Sequence, residues 1–415
     1  MENNRSSACF CAADILLPNL PELSPWAVIA CDQFTSQPEY WQQVEAITEG
    51  RVSTAQLILP ESELGQHAAG RIERIHHTMQ RFLQMNLFQT YQNAYLYTER
   101  TLQDGGVRCG IVGMVDLEAY DYTGHADSKI RATEKTVADR IPPRMSVRRG
   151  AALDLSHILL LCDDDMETLI EPLHQKLECF PKLYGFDLML GGGHIDGWLI
   201  AGDEKLSLDR KLEEYAESQR RKNPGNLFQF AVGDGNHSLA AAKACYEELK
   251  RQHPNSDCSD HPARYALCEL NNIHDPALKI APIHRVVKHC ETSSLIRDIQ
   301  SAFSGSSGTP VPWCSGDESG TIMLPVGKNG LPLAILQEFL DHWLQNHPGE
   351  LDYIHGEETL RKLSRASDTV GFILPAIEKK TLFPCILSNG VLPRKTFSMG
   401  DALDKRYYLE ARRIE

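Results

Sequence analysis

The sequence lacks the features that mark membrane, secreted and nucleic-acid-binding proteins. No uninterrupted apolar run reaches about 18 residues, so no membrane span is predicted, and the opening residues lack the layout of a signal peptide. Basic residues are in deficit, with 42 Lys and Arg against 56 Asp and Glu and a formal net charge of -14. This balance disfavours binding to nucleic-acid backbones, which requires a basic face.

Cysteine pairs with the spacing of a metal site are also missing. The 12 cysteines are scattered, mostly singly, inside apolar runs such as "ILLLCDDD" and "LFPCIL". The closest pair, Cys9 and Cys11, does not have a zinc spacing and has no second pair to complete it. We therefore expect buried reduced thiols, no metal site, and a cytoplasmic protein.

What is present indicates a soluble globular protein. Its 415 residues, 42% hydrophobic and 24% charged, suffice for two or three domain-sized units. Predicted strands and helices alternate along the chain, but hairpins also occur. We expect the α/β to α+β class, with a mixed β-sheet core and flanking helices.

Individual elements follow from periodicity and turn chemistry. Apolar residues from Ile72 to Leu83 recur at helical spacing. The runs "NAYLYTERTL" and "VRCGIVGMVDL", separated by "QDGG", predict a hairpin. Late strands are predicted for "GFILPAI" and "LFPCILSNGVLP".

Composition predicts one boundary. Residues 304–320, "SGSSGTPVPWCSGDESG", are rich in Gly, Ser and Pro, which predicts a loop. We expect a main α/β region over residues 1–303 and a smaller C-terminal α/β region over residues 321–415, packed on the main one.

The most informative stretch is "VGDGNHSLAA", where a strand, a glycine turn and a helix follow one another. Gly235 permits unusual backbone angles and close ligand approach, and Asp234 or Asn236 is expected to cap the helix. The first amides of a helix bind anions, and His237 and Ser238 add an imidazole and a hydroxyl. The alternative is a capped turn with a structural histidine. The stretch is neither a P-loop nor a Rossmann fingerprint.

Other polar groups are weaker candidates. "RATEKTVADR" carries Arg131 and Arg140, which can grip phosphate or carboxylate oxygens, and Glu134, a candidate general base; a salt-bridged helix start is the alternative. His284 and Arg285 in "PIHRVV" and Lys395 in "LPRKTF" are either anion contacts or structural groups.

Asp32, His194 and the aspartates 163–165 are further candidates. Asp32 follows a predicted strand, and strand ends are common ligand positions. His194 follows three glycines, which also build ordinary hairpins. The aspartates 163–165 are expected to cap a following helix rather than to bind a cation.

These motifs carry a resemblance. The chain is similar to DUF1015, a family of uncharacterised proteins whose "Asp-Gly-His-His-Arg" signature corresponds here to residues 234–238. "RATEKTVADR", "PIHRVV" and "LPRKTFSMG" resemble three other blocks of that family, so the resemblance runs from about residue 14 to the end. Asn236 stands where the family has a histidine, and Ser238 where it has an arginine, which implies altered ligand contacts.

A weaker resemblance rests on the same turn. It is similar to one in the ParB/sulfiredoxin-like fold, which includes partition proteins, sulfiredoxins and free-serine kinases, where this helix start cradles nucleotide phosphates. The resemblance implies a ParB/sulfiredoxin-like element here and a phosphate or small polar ligand at residues 234–238. Fold analogy does not establish a reaction.

The leading hypothesis is an enzyme acting on a small anionic metabolite, a phosphotransferase using ATP or ADP with magnesium. Asp234, Gly235, Asn236, His237 and Ser238 would bind the anion, the arginines would neutralise developing charge, and Glu134 or His237 would be the base. A non-catalytic nucleotide- or metabolite-binding regulatory protein is the alternative, because no G-x-S-x-G elbow is present. Hydrolysis of a small substrate and homo-oligomer formation both stay open.

Overall fold

The computed structural model describes residues 9–64, 68–124, 128–325 and 331–415. The chain divides into two compact units. The first unit comprises the chain up to Leu278 together with Gly400–Glu415, and the second unit comprises Lys279–Met399. The second unit is thus an insertion in the sequence of the first. This division differs from the predicted boundary at residue 303.

Most strands of the described residues belong to the first unit. In chain order they are β1 Phe10–Cys11, β2 Ala13–Pro18, β3 Val28–Ile29, β4 Phe88–Thr101, β5 Val107–Asp116, β6 Tyr120–Asp121, β7 Ile130–Ala132, β8 Leu153–Leu155, β9 Leu159–Cys162, β10 Lys182–Asp187, β11 His194–Ile200, β12 Phe230–Asp234 and β13 Tyr265–Asn272. The second unit follows with β14 Ile280–Lys288, β15 Gly308–Ser315, β16 Glu318–Pro325, β17 Glu350–His355, β18 Val370–Phe372 and β19 Phe397–Met399. The chain then returns to the first unit with β20 Tyr407–Tyr408 and β21 Ala411–Arg413.

The helices of the described residues are divided between the units in the same way. The α-helices are α1 Pro38–Thr48, α2 Ala69–Gln84, α3 Ile141–Arg148, α4 Gly202–Lys222, α5 Asn236–Gln252, α6 Thr292–Ala302, α7 Pro332–Trp343, α8 Glu357–Leu363 and α9 Lys379–Asn389. The short 3₁₀ helices are Thr54–Gln56, Glu61–Glu63, Leu117–Ala119, Ala138–Arg140, Glu171–Cys179, Met189–Gly191, Pro262–Arg264 and Ala402–Asp404.

The first unit is built on a large mixed sheet. Within the described residues it has 13 strands in the order β6-β7-β12-β9-β13-β5-β4-β2-β21-β8, with β1 paired to β5 and the β10–β11 hairpin joined to β4. The pairs β6–β7, β7–β12 and β9–β13 are parallel, whereas β9–β12 and β4–β5 are antiparallel. The predicted mixed sheet is therefore confirmed.

Helix α2 and the β4–β5 hairpin also lie where periodicity predicts them. Helix α2 buries Ile75, Met79 and Phe82 along one face, because residues three or four apart share a side of a helix. They join the apolar core of the first unit, in which Trp26 is fully buried.

One edge of the large sheet brings three segments together. Strands β7 and β12 run in parallel and end there, with Ala132 opposite Val232. Strand β9 runs the other way and begins there, with Leu159 opposite Asp234. Since α5 starts directly after β12, the residues after β7, the residues before β9 and the start of α5 all meet at this edge.

The C-terminal segment joins them. Strand β20 pairs with β3, which places Tyr408 opposite Val28, and the Ala30 amide donates to the Arg406 carbonyl at 3.0 Å. The buried Arg406 guanidinium donates to Glu269 Oε2 at 2.8 Å and also pairs with Glu410. Because a buried charge needs a partner, these pairs fix residues 405–408 firmly against the sheet.

The second unit has its own sheet, of six strands in the described part. The order is β16-β15-β18-β14-β17, with β19 paired to β14. Helices α6 and α7 cover an apolar core that includes Trp313, Leu336 and Phe372.

Two predictions in the second unit are wrong. Residues 304–320 do not form a loop, because β15 and β16 pair there as an antiparallel hairpin. Buried Val311 and Trp313 alternate with exposed Pro310 and Pro312, so the composition concealed a period of two. The run "LFPCIL" lies in α9 rather than in a strand, since so short an apolar run does not distinguish the two elements.

The remaining broad predictions concern membranes and thiols. Across the described ranges, every helix is too short or too polar to cross a bilayer. All 12 cysteines are free thiols; only Cys179 is exposed.

Candidate functional site

Gly235 begins helix α5 in the left-handed backbone conformation, with φ +79° and ψ 24°. A Cβ atom at this position would lie 3.0 Å from Ile158 Cγ1 and 3.2 Å from Ile158 Cα. Both the conformation and the close approach favour glycine. The first amide bonded within the helix is that of Leu239, which donates to the Gly235 carbonyl at 3.0 Å.

Neither Asp234 nor Asn236 caps the helix, because no cap hydrogen bond from a side chain is present at this end among the described residues. The prediction of a side-chain cap is therefore wrong. The amides of residues 236–238 still precede the first intrahelical bond. Such amides carry partial positive charge and suit an anion.

Asn236 and His237 hold the residues after β7 against the start of α5. The Asn236 Oδ1 atom accepts the Thr133 amide at 3.2 Å, and its Nδ2 donates to Thr133 Oγ1 at 3.2 Å. The His237 Nε2 atom accepts the Val137 amide at 3.2 Å. The side chains of Asn236 and His237 thus connect the "RATEKTVADR" segment to the start of α5, although the two are about 100 positions apart in the sequence.

Asp234 faces a buried lysine that the sequence did not indicate. Lys405 Nζ lies 3.4 Å from Asp234 Oδ1, and the two side chains are 6% and 17% exposed. The other carboxylate oxygen, Oδ2, is buried and has no hydrogen-bond partner in the described part of the chain. Since buried polar atoms are nearly always satisfied, this oxygen is suited to a ligand.

Ser238 begins a chain of hydrogen bonds. Its Oγ lies 3.3 Å from His157 Nε2, and His157 Nδ1 lies 2.7 Å from the Tyr408 hydroxyl. That hydroxyl donates to Cys31 Sγ at 3.0 Å. A phenol has one proton, so it accepts from His157 Nδ1–H. We infer that His157 Nε2 carries the lone pair and accepts the proton of Ser238.

Burial sets the protonation state of Tyr408 and Cys31, the last two groups in this series of hydrogen bonds. It raises the pKa of the Cys31 thiol to about 12 and the pKa of the Tyr408 phenol well above its ordinary value. Both groups therefore stay protonated at neutral pH, which makes Cys31 a weak acceptor rather than a nucleophile.

Asp32 is an ionised carboxylate beside these groups. Burial alone would raise the pKa of its carboxyl, but the neighbouring His157, the hydrogen bond from Gln33, and the Lys405 and Arg144 cations bring that pKa below its ordinary value. Gln33 Nε2 donates to Asp32 Oδ1 at 3.0 Å. Asp32 therefore carries a negative charge in the neighbourhood of His157 and Lys405.

A cavity of about 130 Å³ adjoins the same helix start. Its polar wall includes Ser238, His157, Tyr408 and Cys31, and the lining also contains the charged or polar side chains of Arg144, Arg148, Asp154 and Ser156. Its apolar wall includes Leu57, Ile58, Leu59, Leu64, Met79, Val147, Leu153, Ile158 and Ala241.

The predicted arginines have partners of their own. Arg131 donates to the Ser128 carbonyl at 3.2 Å and to Asn226 Oδ1 at 2.7 Å. Arg140 is exposed and lies 3.6 Å from Glu61 Oε1. Glu134 is half-buried and follows Thr133 directly, so it lies on the segment held against α5.

The other predicted cationic residues belong to the second unit, where they form a structural cluster. Arg285 is fully buried and donates to Gln337 and to the backbone carbonyls of residues 283, 394 and Lys395 at 2.8–3.2 Å. The buried His284 Nδ1 accepts the Leu374 amide at 3.1 Å. Lys395 is exposed, with φ +54°.

The weaker candidates have local partners as well. His194 Nδ1 lies 2.6 Å from Asp187 Oδ1 in the β10–β11 hairpin. Asp164 accepts the amides of Thr168 and Leu169 at 2.7 and 2.8 Å, in a turn that precedes the 3₁₀ helix Glu171–Cys179. Ile170 occupies the N-cap of that helix and no side-chain cap bond is present there among the described residues, so the prediction that the aspartates cap it is wrong. Over the ranges described, no group of three or more His, Cys, Asp or Glu side chains could hold a metal ion.

Sequence reasoning missed His157, Lys405 and Tyr408. His157 is 81 positions from Ser238, and Tyr408 is 251 positions from His157. The one local signal was the run "DKRYY", in which two cations adjoin two aromatic residues.

Comparison with known proteins identifies a family. The sequence profile of DUF1015, described as a protein of unknown function, matches residues 16–379. A search of curated proteins found no match.

Solved structures with partial similarity include SbnI from Staphylococcus aureus, with a TM-score of 0.37, 10% identity, and coverage of 70% of this chain and 82% of that one. A free serine kinase in complex with AMP has a TM-score of 0.38 and 11% identity, with coverage of 71% of this chain and 90% of that one. A conserved hypothetical protein from Pyrococcus furiosus has a TM-score of 0.35 and 12% identity, with coverage of 73% of this chain and 94% of that one. All three TM-scores are below 0.5, so the fold described above rests on the strand order of this chain.

Proposed function

Because the chain belongs to the DUF1015 family, whose function is unknown, we propose a function from the site itself: a phosphotransferase that moves a phosphoryl group from a nucleotide to a small hydroxy or amino acid. The observation that carries the proposal is the start of α5. There the nearly buried Lys405 ammonium, the unpartnered Asp234 Oδ2 and the first helix amides occur together.

The phosphate would bind where positive charge is fixed. The amides of residues 236–238 and the Lys405 ammonium would hold its oxygens, because helix starts and lysine ammoniums are common phosphate partners. Gly235 leaves the backbone open to such a ligand. The side chains of Asn236 and His237 would act by holding the segment after Thr133 rather than by touching the anion.

Magnesium fits this arrangement in a limited way. Mg²⁺ is usually bound through one or two carboxylates, substrate phosphates and water rather than by a protein cage. Asp234, with one carboxylate oxygen lacking a partner, would hold it. When bound, the ion neutralises charge on the phosphates.

A general base is needed for the acceptor hydroxyl or amine. Of the two predicted candidates, His237 already uses its Nε2 lone pair to accept the Val137 amide. Glu134 lies on the segment held by that same hydrogen bond, so we propose Glu134 as the base.

A second function is favoured by one observation. Arg131 and Arg140, expected to neutralise transferred charge, are engaged by Asn226 and Glu61. A nucleotide- or metabolite-binding regulatory protein without turnover needs fewer cations than phosphoryl transfer does.

The test is direct. Purified protein is incubated with ATP or ADP, Mg²⁺ and a pool of hydroxy and amino acids, and phosphorylated products are sought by phosphorus NMR and mass spectrometry. We expect a product that Asp234→Asn and Glu134→Gln abolish. Thermal stabilisation by nucleotide without any product would instead support the binding protein. Binding and turnover indifferent to Asp234→Asn would contradict both functions at this site.

A further inference from the structure

The cavity beside the start of α5 has the size of a small apolar group. Its volume of about 130 Å³ is close to that of an apolar protein cavity that binds benzene, roughly 150 Å³. A group of about six carbon atoms therefore fits.

The charges on the wall of the cavity are neutralised within the protein. Arg144 lies 2.8 Å from Glu61 Oε2, and Arg148 lies 2.6 Å from Asp154 Oδ1. Both arginines line the cavity. Because each guanidinium has a carboxylate partner, the walls favour a neutral apolar group over a second anionic one.

The corner of the cavity at Ser238 offers hydrogen bonds to a ligand. Ser238 donates to His157 Nε2, and this leaves lone pairs on Ser238 Oγ. Ser238 is the third residue of α5, so this polar corner is continuous with the amides proposed to bind phosphate. A single ligand can therefore reach both regions if its polar and apolar ends are adjacent.

We propose that this cavity binds the side chain of the phosphoryl acceptor, which is a hydroxy or amino acid with an aliphatic or aromatic side chain rather than a small polar one. The assignment rests on the proposed function, because it places the acceptor's polar end at the start of α5. Ser238 and His157 are positioning residues for that polar end.

The test uses the full chain with methyl-labelled methionine, because Met79 lines the cavity. The protein is titrated with glycolate and with 2-hydroxy-4-methylpentanoate, and the Met79 signal is identified through Met79→Leu. Each buried methylene strengthens binding about fourfold, so we expect the longer acid to shift Met79 and to bind at least tenfold more tightly. Equal affinities, or displacement of the longer acid by adenosine, would overturn the assignment.

A matched pair of variants sharpens the test. Ala241→Leu places a larger side chain in the cavity, whereas Ala244→Leu makes the same change on α5 at a residue outside the cavity lining. We expect Ala241→Leu to weaken 2-hydroxy-4-methylpentanoate at least tenfold while inorganic phosphate binds as before, and Ala244→Leu to change neither. The wild-type titration decides the matter if Ala241→Leu does not fold.

The cavity assignment and the proposed function fail differently. Preference for the longer acid without any phosphorylated product from any donor overturns the proposed function. Product formation from glycolate and the longer acid with equal affinity overturns the cavity assignment alone.

Discussion

The start of α5 and the His284–Arg285 strand look alike in sequence, since each combines a histidine with charged and polar groups beside an apolar run. In the structure they differ in where their hydrogen-bond partners come from. The Arg285 guanidinium donates hydrogen bonds to Gln337 and to three backbone carbonyls of the second unit. At the start of α5, Asp234 keeps a buried oxygen without a partner in the described residues. A satisfied cluster stabilises a fold, whereas an unsatisfied buried atom needs an explanation, and for Asp234 we propose a ligand.

Removing Lys405 tests the unsatisfied cluster and should have the largest effect. We expect Lys405→Met to lower turnover of the proposed reaction about 10²–10³-fold, since one preorganised electrostatic contact is typically worth that much. Steady-state kinetics with ATP or ADP measures it. Lys380→Met, at an exposed lysine of the second unit, is the control. Unchanged turnover in Lys405→Met would remove the lysine from the site.

Removing Arg285 tests the satisfied cluster. We expect Arg285→Met to lower the free energy of unfolding by about 3 kcal/mol, because buried carbonyls and Gln337 lose their donor. Urea denaturation measures it, and affinity for inorganic phosphate should stay unchanged. Arg394→Met, at an exposed residue that also lies over the Tyr353 ring, should cost far less. A stable Arg285→Met protein that had lost phosphate affinity would reverse the comparison.

A change at Gly235 should affect both binding and folding. We expect Gly235→Ala to lower the free energy of unfolding by about 1–2 kcal/mol, because an L side chain is strained at φ +79°. The added Cβ also approaches Ile158. Denaturant melts measure the change, with Gly225→Ala as control, since Gly225 has a positive φ and open space around it. Equal costs would show that the close approach to Ile158 contributes nothing.

The smallest effect concerns pH. Burial, together with the charge of Arg285, lowers the pKa of His284 below its ordinary value. The unfolded chain therefore binds the proton more tightly, so the stability from neutral His284 is present above about pH 6.5 and is lost as pH falls below it. Urea melts from pH 8 to pH 5 should show this loss, and His284→Gln should reduce it. His342→Gln, at an exposed histidine of the same unit, is the control and should leave the loss attributed to His284 in place; a slope unaffected by His284→Gln would contradict the assignment.

The sequence predicted what is local. Helix α2, the β4–β5 hairpin and the strand-turn-helix of β12 and α5 follow from periodicity and glycine placement within short windows. The hairpin at 308–325 escaped prediction because proline and glycine content outweighed the alternation of Val311 and Trp313. Local pattern also could not distinguish Arg285, fully engaged by backbone carbonyls, from an arginine available to a ligand.

Long-range pairing set the rest of the site. Asp234 and Ser238 were found from their own turn, but Lys405 and His157 lie in connecting segments that are far from that turn in sequence and reach it only in the folded chain. Nothing in the sequence near Lys405 reports that β20 pairs with β3. The resemblance to DUF1015 identified the two sequence blocks that contain Thr133 and Asn236. It did not predict that these residues contact each other, because that contact depends on the pairing of strands in the sheet.

The order of synthesis follows from the return of residues 400–415 to the first unit. A ribosome makes the turn at Gly235 long before it makes Lys405 and Tyr408, and it makes the whole second unit in between. Domains generally fold as units during synthesis, so the proposed anion site stays incomplete in the nascent chain until Lys405 has been added. A chain truncated within the second unit lacks Lys405 and Tyr408, and we expect it to lack the proposed chemistry.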